Sequence, residues 1–237
     1  MENFIFVLSV LNFYMKKGSM KSLVVFDLDG TLVDTAKLIF DSFNFVLKRY
    51  QGTVMSPEEI RKYFGPPEDI AIKKIMGETN FEQIWEDYLQ YYRSHLFETA
   101  VFPGIVELLT DLKTQRIKLA VFTGKGNETT ELTLAYHGLR DFFDMVVTGS
   151  IVKNHKPDRE GLELIMNSLG VGVGEAVLVG DSIADYKAAA AAGIDFVAAL
   201  YDSNAVGHFS DIKCKKAESV ESLRNILFPK LKKIVAG

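Results

Sequence analysis

A single cysteine, Cys214, stands among 237 residues. One cysteine excludes an internal disulfide framework and any metal site built from cysteines alone, and it fits a reducing, cytoplasmic setting. Basic charge is also scarce. The 27 Lys and Arg against 31 Asp and Glu leave a formal charge of −4, which gives no footprint for nucleic acid. No stretch reads as a membrane span. The strongly apolar segment Phe4 to Tyr14 has about half of the ~20 residues that a spanning helix needs. Its charges, Lys16 and Lys17, follow the apolar run, whereas a signal peptide carries them ahead of it. Residues 1–19 therefore read as an N-terminal extension. Met20 stands just before the first strand signal and makes a natural start, which leaves an upstream-start artefact or a short packed helix as accounts of that extension. The four histidines, at 95, 137, 155 and 208, show no metal-ligand spacing.

What is present is enough apolar residue for a core. The chain is 48% hydrophobic and 24% charged, which suits a globular protein of one large domain or two modest ones. The most informative run is Leu23-Val24-Val25-Phe26-Asp27-Leu28-Asp29-Gly30-Thr31. Four apolar residues closed by a turn signal predict a buried strand. Alternation along that strand puts Asp27 and Asp29 on one side, with Leu28 opposite. Open α/β sheets bind ligands at the carboxyl ends of their strands, which is where these two acids stand.

From 35 to 101 the pattern predicts helices and no strand. Asp34 to Tyr50 carries apolar residues at helical spacing. Ser56-Pro57-Glu58-Glu59 is a helix start, with an N-cap serine, a first-turn proline and acids at the positive dipole end. Gly65-Pro66-Pro67 breaks that helix, and Asp69–Met76 and Phe81–Phe97 follow as helices. At Phe102-Pro103-Gly104 the texture changes. Predicted strands at Ile117–Phe122, Met145–Thr148, Ala176–Val179 and Ile194–Leu200 alternate with helices. Such alternation predicts a parallel sheet with helices on both faces. The Leu23 strand joins that sheet, so 35–101 is an insertion into it.

Three further segments carry candidate chemistry. Thr123-Gly124-Lys125-Gly126 follows a strand and precedes a helix, where a hydroxyl and backbone N–H groups suit phosphate oxygens, although Thr-Gly also serves as a plain turn. Lys156-Pro157-Asp158 lies in a loop before a helix and reads equally as a solvated lysine with a helix start. Val179-Gly180-Asp181-Ser182-Ile183-Ala184-Asp185 ends a buried strand on an acid. A capping box accounts for Ser182 and Asp185 but not for Asp181. Asp27, Asp29 and Asp181 all project from strand ends. Carboxylates about 4 Å apart repel by roughly 4 kcal/mol at an effective dielectric near 20. Either some hold protons or a cation sits among them, and all-oxygen ligation with room for phosphate points to Mg²⁺.

The ordered set Asp27-x-Asp29-Gly30-Thr31, Thr123, Lys156 and Gly180-Asp181-x-x-x-Asp185 resembles the haloacid dehalogenase superfamily over Met20 to about Leu227. The resemblance implies a Rossmann-like core, residues 20–34 and 102–237, with an α-helical cap at 35–101. It implies that Asp27 is the nucleophile, forming an aspartyl-phosphate. Asp29 would be the general acid for the leaving group and then the base for water. The metal ligands would be Asp27, Asp29 through its backbone carbonyl, and Asp181, with Asp185 in support. The phosphate cradle would be Thr123, the Gly124 backbone and Lys156. Dehalogenases lack the second acid of the first motif, and Asp29 is present.

The runs from Asp27 to Thr35, Phe64-Gly65-Pro66-Pro67, Thr123-Gly124-Lys125 and Lys156-Pro157-Asp158 look most like phosphoglycolate phosphatases and related pyrophosphatases. That branch implies Mg²⁺-dependent hydrolysis of a small phosphorylated metabolite, with neither nucleic acid nor membrane as partner and a monomer or dimer as assembly. Inorganic pyrophosphatase and sugar-phosphate mutase are the alternatives. The cap-side histidine of mutases is absent from Lys37-Leu38-Ile39-Phe40. A non-catalytic binding module is a further alternative, and the complete motif set argues against it. Phe64, Gly65, Pro66 and Pro67 form the expected specificity loop of the cap. Gly124 and Arg159 depart from the pattern, since most relatives have Asn or Ser at the first position and many have Pro at the second.

Overall fold

The computed structural model describes residues 21–202 and 209–228; the N-terminal extension and His208 lie outside them. Six strands form one parallel sheet. They are β1 (Leu23–Phe26), β4 (Lys118–Phe122), β5 (Met145–Val147), β6 (Ala176–Gly180), β7 (Asp195–Ala199) and β8 (Lys215–Ala217), in the order β5-β4-β1-β6-β7-β8. In register, Phe26 of β1 pairs with Val121 of β4 on one side and Val179 of β6 on the other. From β1 the chain builds outward first to one side and then to the other. The strand order thus reverses beside β1, and the crevice at the carboxyl ends opens there.

Alternation along β1 sets the two core layers. Val24 and Phe26 face the cluster made with Ile105, Leu108 and Leu112 of α5 (Ile105–Thr114) and Leu223 of α9 (Val220–Leu227). Leu23 and Val25 face Leu162 and Ile165 of α7 (Glu160–Leu169) and Ala188 and Ala189 of α8 (Ile183–Ala192). The alanines let α8 lie close on the sheet.

The segment between β1 and α5 carries α1 (Ala36–Gln51), α2 (Pro57–Arg61), α3 (Glu68–Met76) and α4 (Phe81–Ser94). These helices enclose a third cluster of their own, with Phe43, Val46, Ile60, Ile72, Tyr88 and Tyr92 buried in it. The start of α2 is built as its sequence requires: Ser56 Oγ accepts the Glu59 N–H while Glu59 reaches back to the Ser56 N–H.

Three sequence expectations need correction. The insertion is not purely helical at its ends, because β2 (Val33–Asp34) and β3 (Ala100–Val101) pair antiparallel where the chain leaves and re-enters the core. Two-residue strands are too short to show alternation. The β1 strand also ends at Phe26, so Asp29 does not reach the site by alternation. A tight turn does it, in which the Leu32 and Val33 N–H groups both bond the Leu28 carbonyl at 2.9 and 3.1 Å. Finally, β8 and α9 lie beyond the last predicted strand. β8 is a lysine-bearing edge strand, with Lys215 and Lys216 exposed, and its alternation is masked by that charge.

Helix α7 lies so close to β4 that a Cβ on Gly161 would stand 2.2 Å from a ring carbon of Phe122. Gly161→Ala is expected to cost about 1–3 kcal/mol by overpacking, lowering Tm by roughly 2–4 °C per kcal/mol. Thermal or urea unfolding of the variant reads this directly, and an unchanged midpoint would contradict the close contact.

Candidate active site

Each acid at the site is held by a backbone feature. Asp27 follows β1, and its N–H donates to the Val179 carbonyl at 2.9 Å. Its side chain is buried and accepts from Lys156 Nζ at 2.8 Å. The same ammonium donates to Asp185 Oδ1 at 2.5 Å. The other Asp185 oxygen accepts from the Ser182 N–H and hydroxyl at 3.1 and 2.5 Å, which is the capping box of α8 turned inward. Gly180 allows this, because a Cβ there would meet Asp185 at 2.6 Å. Asp181 accepts from Thr31 Oγ1 at 3.3 Å. Gly30, at φ +78°, turns the chain away, and a Cβ on it would fall 2.6 Å from an Asp181 oxygen.

Asp29 stands at the edge of the same crevice, accepting the Thr35 hydroxyl at 2.5 Å. Thr123 is buried at the end of β4, and its Oγ1 accepts the Lys125 N–H at 3.2 Å. Asp27, Asp29, Thr123, Gly124, Lys156 and Asp181 all line one cavity of about 660 Å³. Phe64, Gly65 and Pro66 line it from the insertion, while Pro67 packs against Gly126 and Gly149 of the core.

Three site residues escaped the sequence reading. Asp202 lines the cavity just past β7; its signal was the same as that of Asp181, an acid soon after an apolar strand. Lys125 is buried, with its ammonium 2.9 Å from Glu68 and 3.5 Å from Asp29. Glu68 begins α3 and resembles any acid at a helix start, so nothing local marks it. Ser182 and Asp185 do form the capping box that their spacing suggested, while Asp185 also grips Lys156.

Acids outnumber bases here. Burial pushes the Asp27 carboxyl up to about 7, against the pull of Lys156, with Asp185 and Asp29 adding to the rise. Asp181 is held well above the usual carboxylate range by burial and by Asp27, Asp185 and Asp202. Burial opposes the charge on Lys156, but Asp185 and Asp27 outweigh it and keep the ammonium protonated. Oxygens of Asp27, Asp181 and Asp185 lie within 4.8 Å of one another. Such hard oxygen donors fit a divalent cation. Both Asp185 oxygens are bonded, one to Lys156 and one to Ser182, whereas Asp27 gives Lys156 one oxygen, so Asp27 and Asp181 are the carboxylates of this trio open to it.

The sign of the pH dependence follows. The unfolded chain releases the Asp27 proton near 3.8, whereas the folded chain keeps it until about 7. This group therefore costs the metal-free fold increasingly as pH rises through that window. A cation that replaces the protons relieves the cost. Adding a divalent cation is expected to raise Tm more at about pH 8 than at about pH 5, and Asp181→Asn to lose most of that increment. Equal increments at the two pH values would exclude the acid cluster as the binding site.

Comparison with known proteins agrees with this geometry. The family model for haloacid dehalogenase-like hydrolases matches residues 24–199. Pyrophosphatase PpaX of Halalkalibacterium halodurans is 35% identical over 173 residues, covering 72% of this chain and 80% of that protein. The Bacillus cereus (strain AH820) protein of the same name is 34% identical over 160 residues, covering 67% and 74%. Among solved structures, a predicted phosphoglycolate phosphatase from Haemophilus somnus superposes with a TM-score of 0.67 at 27% identity, over 77% of this chain and 86% of that one. With the strand order, the acid cluster and the family match in agreement, the chain belongs to the haloacid dehalogenase-like hydrolases.

Proposed function

We propose that this hydrolase is a Mg²⁺-dependent phosphatase that cleaves a small phosphate monoester through an aspartyl-phosphate on Asp27. The observation that carries the reading is the buried Lys156 ammonium shared by Asp27 and Asp185 at 2.8 and 2.5 Å, facing a cavity that also holds Asp181 and Thr123. A carboxylate attacks an anionic phosphate poorly unless charge is neutralised, and a lysine beside it does that. Asp27 and Asp181 would hold Mg²⁺, with the Asp29 backbone carbonyl, and the ion supplies further charge neutralisation at the phosphoryl oxygens.

An Asp27 oxygen forms a bond to phosphorus as the bond to the leaving oxygen breaks. Asp29 gives that oxygen its proton. A water then attacks the same phosphorus, Asp29 takes its proton, and the Asp27–phosphorus bond breaks to release inorganic phosphate. Thr123, the Gly124 N–H and Lys156 hold the phosphoryl oxygens throughout. The helical insertion at 35–101 acts as the cap, pivoting near the β2–β3 pair, and its loop 64–67 contacts the rest of the substrate. Closure excludes bulk water from the intermediate.

2-Phosphoglycolate is the first candidate substrate, and relatives named pyrophosphatase make inorganic pyrophosphate the second. A mutase reading is disfavoured by Lys37, which is exposed and paired with Asp41 and Glu98 at 2.6 and 2.7 Å and so offers the site no replacement for a cap-side histidine. The test is phosphate release from a panel including both compounds. Release is expected with Mg²⁺, to stop with EDTA, and to fall roughly a thousandfold or more in Asp27→Asn. Activity retained by Asp27→Asn sinks the covalent mechanism. No release from any panel compound sinks the broad phosphatase reading.

A further inference from the structure

The cap and the core share a buried ion pair that the proposed chemistry does not use. Lys125 is 5% exposed. Its ammonium lies 2.9 Å from Glu68 Oε1 of the cap, 3.5 Å from Asp29 Oδ1 of the core, and 4.8 Å over the Tyr92 ring. Glu68 is 7% exposed, though it opens a cap helix. It also accepts the Gly126 N–H at 2.7 Å and the Thr129 hydroxyl at 2.9 Å. Two core hydrogen-bond donors and one core ammonium thus converge on one cap carboxylate.

The ground beneath Glu68 is cleared of side chains. A Cβ on Gly124 would lie 3.0 Å from the Gly65 carbonyl oxygen. One on Gly149 would lie 2.4 Å from the Gly124 carbonyl oxygen and 2.8 Å from the Pro67 ring. One on Gly126 would lie 3.1 Å from Glu68 Oε2. The cap loop therefore sits on a floor of three glycines.

We infer that Glu68 is a latch that holds the cap loop on this glycine floor and, through Lys125, positions Asp29. Glu68 supplies a closing force that belongs to the protein rather than to the substrate. When the cap lifts, the carboxylate leaves both donors and the ammonium together, and Lys125 keeps Asp29 as its remaining carboxylate contact. Closure and the placement of Asp29 are then one event. Glu68 touches no reacting atom and Lys125 acts only through Asp29, so both are positioning residues. The inference rests on the proposed function only for its effect on turnover.

Amide hydrogen exchange tests the latch without any substrate. In Glu68→Gln, which keeps the shape and loses the charge, exchange is expected to rise roughly tenfold or more at residues 64–70 and 124–129 together. The sheet amides of β1 and β6 should stay protected. Unchanged exchange in both segments, or a rise spread evenly over the chain, overturns the latch. Gly124→Ser attacks the floor while leaving Glu68 intact, and it should loosen the same two segments; it decides the matter if Glu68→Gln does not fold. On a hydrolysed substrate Glu68→Gln should raise KM more than it lowers kcat, with Glu68→Asp recovering part of the loss, whereas a Tm change with unaltered kinetics contradicts a positioning role. If the wild type releases no phosphate, the proposed function fails and the exchange result still decides the latch.

Discussion

Everything at the crevice depends on the Lys156 ammonium. It joins three chain segments that are distant in sequence: the end of β1 through Asp27, the first turn of α8 through Asp185, and its own loop after β5. The phenyl ring of Phe122 lies 4.7 Å beneath it, so the charge is pressed between an apolar floor and two carboxylates. Burying a charge this way stabilises little by itself, since desolvation offsets much of the attraction. Removing one partner, however, leaves an uncompensated charge in a dry place. The pairing therefore fixes where Asp27 points more firmly than it stabilises the fold.

A second lysine repeats the device one step outward. Lys156 ties core to core, whereas Lys125 ties Asp29 of the core to Glu68 of the insertion. Burial opposes the charge of Lys125, and the carboxylates of Asp29 and Glu68 outweigh it. Glu68 in turn is held below the usual carboxylate range: burial resists, but Lys125 and the Gly126 N–H prevail. Each lysine thus stands between two acids, and the Asp181 carboxylate remains in excess of them. That excess is what a divalent cation would answer.

Much of this was legible in the sequence where a residue's role is local. Val24-Val25-Phe26 announces a buried strand, and the strand expected at Ala176–Val179 is there, one residue longer. The Phe81 helix was legible too, though it stops at Ser94 and passes into a short 3₁₀ turn at Leu96–Glu98. Asp27, Asp29, Thr123, Lys156 and Asp181 stand at strand ends or in short motifs, and all of them line one cavity. What stayed hidden is non-local. Glu68 reads as an ordinary first-turn acid until α3 is brought against the core. Lys125 reads as a surface lysine until Tyr92 covers it. β2 and β3 acquire strand character only from each other.

The two ends of the cavity are built by different means, and this limits what family membership says about the substrate. The end at Asp27 and Lys156 is made of strand termini and the loops after them, whose spacing the parallel sheet dictates, so it changes little while the fold persists. The far end belongs to the insertion. There Phe40 stacks on Phe64 at 6.0 Å with the rings 8° apart, and the Arg61 guanidinium lies 4.8 Å over Phe40. Ala36 and Ile39 extend the apolar wall. None of these side chains is required by the sheet, and each can change without disturbing Asp27 or Lys156. The strand-end acids and Lys156 are therefore tied to the sheet, whereas the wall of Phe40, Arg61 and Phe64 is tied only to the insertion.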